Sequence, residues 1–114
     1  MIPRPLAAAS LKPIILSILR EGESYGYQLI QRIDRLSDGQ MAWTTGTFYP
    51  FLHGLENEGL IASRWQKGDN APKRKYYRLT ARGEAALREQ REHWLAVNRI
   101  LSPLWGPTPA LAWS

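Results

Sequence analysis

Apolar side chains recur every three to four residues in four stretches of this chain and every second residue in one further stretch. That pattern predicts four helices and a hairpin. In Leu11–Leu19 the residues Leu11, Ile14, Ile15, Ile18 and Leu19 share one broad face, with Ser10 as a candidate cap and Pro13 inside the first turn. Arg20-Glu21-Gly22 stops the segment. A second helix, Tyr25 to about Leu36, follows Ser24 as its cap; Leu29, Ile30, Ile33 and Leu36 keep helical spacing while Gln28, Gln31, Arg32 and Arg35 face out. Ser37-Asp38-Gly39 is a turn signal.

The stretch TTGTFYPFLHGLENEGLI, Thr44 to Ile61, carries both a half-buried helix and a polar leading edge. Phe48, Phe51, Leu52 and Leu55 keep helical spacing, and Gly59 supplies the left-handed residue that commonly closes a helix. Thr44, Thr45 and Thr47 are alternative caps, since each hydroxyl can accept from a free backbone N–H of the first turn. Pro50 discriminates among them. Under a Thr47 cap it falls in the first turn; under a Thr44 cap it lies deeper and bends the helix. The link through Gln40–Trp43 suits a helix-turn-helix somewhat longer than the tightest form.

Beyond Gly59 the period shortens to two. Ile61–Trp65 and Arg74–Leu79 are rich in strand formers, and the KGDNAPK between them holds the residues that turns require. A lone two-stranded hairpin is marginal in water, so Ile61, Trp65 and one of Tyr76 or Tyr77 are expected to lean on the helices. The pattern is therefore mainly α with a small β-hairpin: a winged helix-turn-helix. Thr80 then caps a long C-terminal helix, Ala81–Ser102, ended by Pro103. Leu87, Trp94 and Leu101 are spaced by seven along it, and Val97, Ile100 and Leu104 widen the stripe. Such a stripe either folds back on its own core or is covered by a partner. The tail from Pro103 to Ser114, with Trp105 and Trp113, reads as irregular.

At 114 residues the chain suits one domain with a modest core. The expected division is an N-terminal arm over 1–10, a winged-helix domain over 11–80, a dimerisation helix over 81–102 and a tail over 103–114. There is no cysteine, which excludes disulfides, thiolate metal sites and a cysteine nucleophile. MIPRPLAAAS imitates a signal peptide, but its apolar run is too short for one, and no run spans a membrane; the expectation is a soluble, cytoplasmic protein. His53 and His93 lie on different segments without a ligand pattern, and no phosphate loop, nucleophile elbow or carboxylate pair occurs, so neither a metal, a cofactor nor an enzyme is expected.

The formal charge of +5 is unevenly placed. Ile61–Arg82 holds Arg64, Lys67, Lys73, Arg74, Lys75, Arg78 and Arg82 against Asp69 alone, whereas the remaining residues carry eight basic and nine acidic side chains. All net positive charge is concentrated in the wing, the footprint of a polyanion binder.

YGYQLIQRI, GTFYPFLHGLENEGLIASRW and RKYYRLTARGEAAL together resemble the PadR family of winged-helix transcriptional regulators over about residues 11–101, and the single C-terminal helix resembles its short subfamily of multidrug-responsive repressors. The resemblance implies a homodimeric repressor, joined through the last helix and bound to an inverted-repeat operator in double-stranded DNA. It places Thr44, Thr45, Thr47, Tyr49, Pro50 and His53 toward the major groove and Lys73, Arg74 and Lys75 near phosphates or the minor groove. One departure stands out: no Lys or Arg occurs from Thr44 to Leu60, so bases would be read through hydroxyls, apolar contacts or water while the wing supplies affinity. Leu87, Trp94, Val97, Ile100 and Leu101 are the expected dimer residues. Trp94 and its symmetry mate either fill the dimer core or face each other across a space for a planar aromatic effector, with Leu11, Ile15, Leu87 and Val97 as walls. The competing reading is a winged-helix module for protein interaction without sequence-specific DNA binding.

Overall fold

A computed structural model of the chain describes residues 1–67 and 72–106. Helix α1 spans Arg4–Glu21, strand β1 Ser24–Tyr25, α2 Gly26–Leu36, α3 Thr45–Asn57, β2 Ile61–Lys67, β3 Lys73–Leu79 and α4 Ala81–Trp105. The three strands form one antiparallel sheet in the order β1-β3-β2. In its register Ile61 faces Leu79, Ser63 faces Tyr77 and Trp65 faces Lys75, while Ser24 and Tyr25 pair with Tyr77 and Tyr76.

Several expectations are corrected by this arrangement. The N-terminal arm is helical from Arg4: Pro3 takes the N-cap position and Pro5 the first turn, where a missing N–H costs nothing. Ser10 is accordingly not a cap but donates back to the Leu6 carbonyl at 2.7 Å, and Pro13 lies inside the helix. The wing has a third strand, because Ser24 and Tyr25 pair with β3 before the chain turns into α2, so Tyr25 rather than Ser24 sits at the N-cap. Helix α4 runs through Pro103 to Trp105, leaving Trp113 outside the described residues. Trp65 is 65 % exposed, not docked on the helices.

The core is built where the apolar faces meet. Leu11, Ile15, Leu16, Ile18 and Leu19 of α1, Leu29, Ile30 and Ile33 of α2, and Phe48, Leu52 and Leu55 of α3 are all buried, and Leu60, Ile61 and Tyr77 close the sheet side. At the end of α3, Gly59 adopts φ 77°, and the Leu60 N–H donates to the Leu55 carbonyl at 3.0 Å. This left-handed exit turns the chain directly into β2.

One close approach locks the wing to α4. The Thr80 N–H donates to the Leu60 carbonyl at 3.1 Å, its hydroxyl donates to the Gly59 carbonyl at 2.6 Å, and the same oxygen accepts from the Gly83 N–H at 3.0 Å. A Cβ at position 83 would run into the Leu60 carbonyl oxygen, so only glycine fits there. From this anchor α4 runs beside α1 with Ala86 and Leu87 half-buried; beyond it every residue from Arg91 to Ile100 is exposed.

Gly83→Ala is expected to lose about 3 kcal/mol or more, because backbone rather than a side-chain tip must give way. Gly54→Ala, on a helix position with nothing within 4 Å, is expected to gain about 0.5–1 kcal/mol. Urea denaturation of both variants beside the wild type measures the contrast.

Candidate nucleic-acid interface

The extended conformation of Thr44 (φ −85°, ψ 155°) makes it the N-cap residue of α3, with its carbonyl accepting from the Phe48 N–H at 2.9 Å. Pro50 is thereby the sixth helical residue. The helix continues past it to Asn57, although a proline there cannot donate to the Gly46 carbonyl. Helical spacing puts Thr45, Tyr49 and His53 on one stripe and Gly46, Pro50 and Gly54 on the next. Thr44, Thr45, Thr47, Pro50 and His53 are exposed and Tyr49 is half-buried. The Thr44 and Thr47 hydroxyls lie 3.0 Å apart, so each has a partner in the free protein.

Tyr49 is fixed by what α2 lacks. A Cβ on Gly26 would come within 2.6 Å of the Tyr49 ring, so the glycine at the start of α2 lets the phenol lie against the first turn of that helix. Beside it, the Arg74 guanidinium stacks 4.5 Å from the Tyr25 ring centroid, and Tyr25 meets its register partner Tyr76 edge-on at 5.6 Å. These contacts bring the start of α2, the outer stripe of α3 and strand β3 around one open cleft of about 650 Å³. Tyr25, Tyr27, Tyr49, His53, Trp65, Lys73, Arg74, Lys75 and Tyr77 are among the residues that line it.

Of the nine residues expected at a DNA surface, Tyr49, His53, Lys73, Arg74 and Lys75 thus share a cleft, while Thr44, Thr45, Thr47 and Pro50 lie on the exposed edge of α3 above it. The wing cations are not equivalent. Lys75 is half-buried, with its ammonium 3.6 Å from a Glu56 carboxylate oxygen and 5.6 Å from the Tyr77 ring centroid. Arg64 pairs with Glu23 at 2.9 Å, while Glu56 is held by Lys75 and Ser63 and Glu58 by Lys12. Among the described residues no carboxylate pairs with Lys73 or Arg74, which leaves these two as the free cations of the cleft.

Sequence reasoning missed Tyr25, Gly26, Tyr27 and Trp65 as cleft residues. The signal for Trp65 was present in the alternation: it shares a sheet face with Ile61 and Ser63 and is paired with the cleft residue Lys75. Tyr77 forms the floor. It is fully buried and its hydroxyl has no hydrogen-bond partner among the described residues; burial first, then the nearby Glu56 carboxylate, push the phenol up to about 12.

Two of the expected effector walls are closed off. Leu11 and Ile15 are buried in the chain's own core and cannot face a ligand. A separate groove of about 390 Å³ lies between α1 and α4, lined by Pro13, Ile14, Leu87, Trp94 and Leu95 with Arg20 and Arg91; Val97 is not part of its wall.

The Transcriptional regulator PadR-like family model matches residues 15–89, from within α1 to the first third of α4. The chain belongs to the PadR-like family. A PadR-like transcriptional regulator from Bacillus cereus has the same fold with a TM-score of 0.75, at 31% identity, over 86% of this chain and 93% of that one. Bacillus subtilis PadR, solved in complex with operator DNA, is similar at a TM-score of 0.63 and 30% identity over 75% of this chain and 47% of its own. The transcriptional regulator YqjI of Escherichia coli is 37% identical over 89 residues, covering 78% of this chain and 37% of the relative. The four helices and small antiparallel sheet are therefore the winged-helix architecture of PadR-like regulators. Among the described residues no helix is long and apolar enough to cross a membrane.

Stability should fall with alkali through Tyr77. Its folded-state pKa lies above the ordinary value of about 10, so the folded protein retains a proton that the unfolded chain releases; the contribution is complete below pH 10 and is lost as pH rises toward 12. Tyr77→Phe is expected to flatten that decline and, since the hydroxyl has no partner, to change stability below pH 9 by less than about 1 kcal/mol. Thermal melts of both proteins across pH 8–11 measure it.

Proposed function

We propose that this PadR-like chain is a homodimeric DNA-binding transcriptional repressor. The observation that carries the reading is the cleft in which the outer stripe of α3 meets the wing cations Lys73 and Arg74, which have no carboxylate partner among the described residues. An exposed helix edge without acidic residues, flanked by free cations, suits a duplex whose groove takes the helix while its phosphates take the wing. The Bacillus subtilis relative solved on operator DNA supports the same partner for this chain. Thr44, Thr45, Thr47, Tyr49, Pro50 and His53 then face the bases, through hydroxyls, ring edges and apolar contacts rather than through guanidinium groups.

The dimer follows from α4. Trp94, Val97, Ile100 and Leu104 are 38, 48, 67 and 76 % exposed on a helix that leaves the body of the domain, while Leu87 and Leu101 are half-buried beside them. An apolar stripe of that length is covered by a second copy of the same helix, and a two-fold dimer sets two recognition helices about 34 Å apart on an inverted repeat. Repression is the direct output of such occupancy, because a dimer seated across a promoter excludes polymerase. The groove beside Trp94 has the volume of a small-molecule site, and its apolar walls with Arg20 and Arg91 at the rim suit a planar, neutral or anionic effector that releases the dimer from DNA.

Selection from random DNA with the purified protein is expected to return an inverted repeat, and sedimentation a dimer that Trp94→Glu converts to monomer. In transcription from a promoter carrying the selected sequence, added protein is expected to lower the yield. Recovery of no sequence by a protein that is folded and dimeric would favour an interaction module instead. Because each neutralised phosphate adds about −0.9 to the log-log salt slope, Lys73→Ala with Arg74→Ala should flatten that slope by about 1.8 per protomer, or about 3.6 for the dimer, and Lys75→Ala, already paired with Glu56, by less.

A further inference from the structure

The segment from Gly39 to Leu55, which contains the exposed edge of α3, carries no Lys, Arg, Asp or Glu. A positive charge nevertheless sits on it. The Arg4 guanidinium lies 5.1 Å from the ring centroid of Trp43, the residue immediately before the Thr44 N-cap. We propose that Arg4 is a DNA-phosphate contact of this protein, delivered by the N-terminal turn of α1 to the leading end of the recognition helix; the inference rests on the DNA-binding reading above.

Three features hold Arg4 in place. It is the first residue of α1, between Pro3 at the N-cap and Pro5 in the first turn, both with φ locked by the pyrrolidine ring. Ile2, one residue before that cap, packs with Ile14 against the core and lines a hollow with Met41 of the α2–α3 link, tying this end of the chain to that link. Trp43 itself is buried, so the guanidinium stacks on a fixed aromatic face, which leaves its N–H edges free to meet an acceptor. Arg4 is exposed, and among the described residues no carboxylate pairs with it. A phosphodiester is the acceptor that fits. The ring mount presents a planar donor fork at the edge of an uncharged helix end, where the backbone beside the occupied groove must pass. No acidic side chain on the segment from Gly39 to Leu55 competes for the fork or repels the phosphate. A two-fold dimer would place one such contact at each half-site, outside the reach of the wing cations on β3.

The test uses the full chain and the duplex recovered by selection from random DNA. In anisotropy titrations at several salt concentrations, Arg4→Gln is expected to weaken binding about tenfold and to lower the salt slope by about 0.9 for each phosphate that is no longer neutralised. Arg4→Lys should retain most of the slope. Placing a neutral methylphosphonate at single backbone positions should reveal one position per half-site that weakens the wild type but not Arg4→Gln. An unchanged slope in Arg4→Gln overturns the inference. So does a lowered melting temperature with DNA affinity intact, since that is the signature of a cation–π contact serving only the fold. If no methylphosphonate position distinguishes the two proteins, the assignment also fails. A wild type that shows no salt-dependent binding to any selected duplex would instead remove the DNA-binding reading itself.

Discussion

The Leu60 carbonyl is the point through which recognition helix, wing and C-terminal helix are fixed to one another. It accepts from the Thr80 N–H at the end of β3, and it occupies the space that any side chain at position 83 would need. Thr80 meanwhile uses one hydroxyl twice, donating to Gly59 and accepting from Gly83, so the exit of α3 and the start of α4 share a single side chain. Since Leu60 follows the left-handed Gly59 directly, the angle at which β2 departs is set by the same few atoms. A buried carbonyl must keep its donor, which makes this junction rigid rather than a hinge.

Electrostatics divide along the fold that this junction creates. Glu56, near the end of α3, accepts from Ser63 on β2 and faces Lys75 on β3, so part of the wing's charge is spent on holding the wing against the helix. Arg64 is likewise engaged, with Glu23. Among the described residues Lys73 and Arg74, the latter on the Tyr25 ring, have no carboxylate partner at the cleft. Exposed pairs such as Lys12 with Glu58 contribute little to stability, whereas the half-buried Lys75–Glu56 contact lies over the Tyr77 floor and orients the strand beneath the cleft.

Two aromatic mounts serve opposite ends of the surface. Tyr25 carries Arg74 of the wing, and Trp43 carries Arg4 of α1. In both, a ring held by the fold restricts a long side chain that would otherwise lose much rotamer freedom on contact. The second mount exists because α1 begins at Arg4, seven residues before the apolar face that made its continuation legible.

The sequence by itself determined the helical faces, the left-handed exit at Gly59, the Thr80 cap and the concentration of positive charge in the wing, because each depends on local spacing or on a residue's own conformational limits. It left Thr44, Thr45 and Thr47 as equal caps, since three hydroxyls within four residues offer the same donors the same acceptor; packing of Phe48, Leu52 and Leu55 selected Thr44 and carried the helix through Pro50. The third strand was invisible because two residues hold no periodicity, and their partners lie on β3 some fifty positions away. Trp65 alternated correctly but stayed exposed at the cleft, and Leu11 and Ile15 are buried in the chain's own core. Which residues face the cleft, and which arginine stands on which ring, was decided only by tertiary structure, because non-local pairing sets those distances.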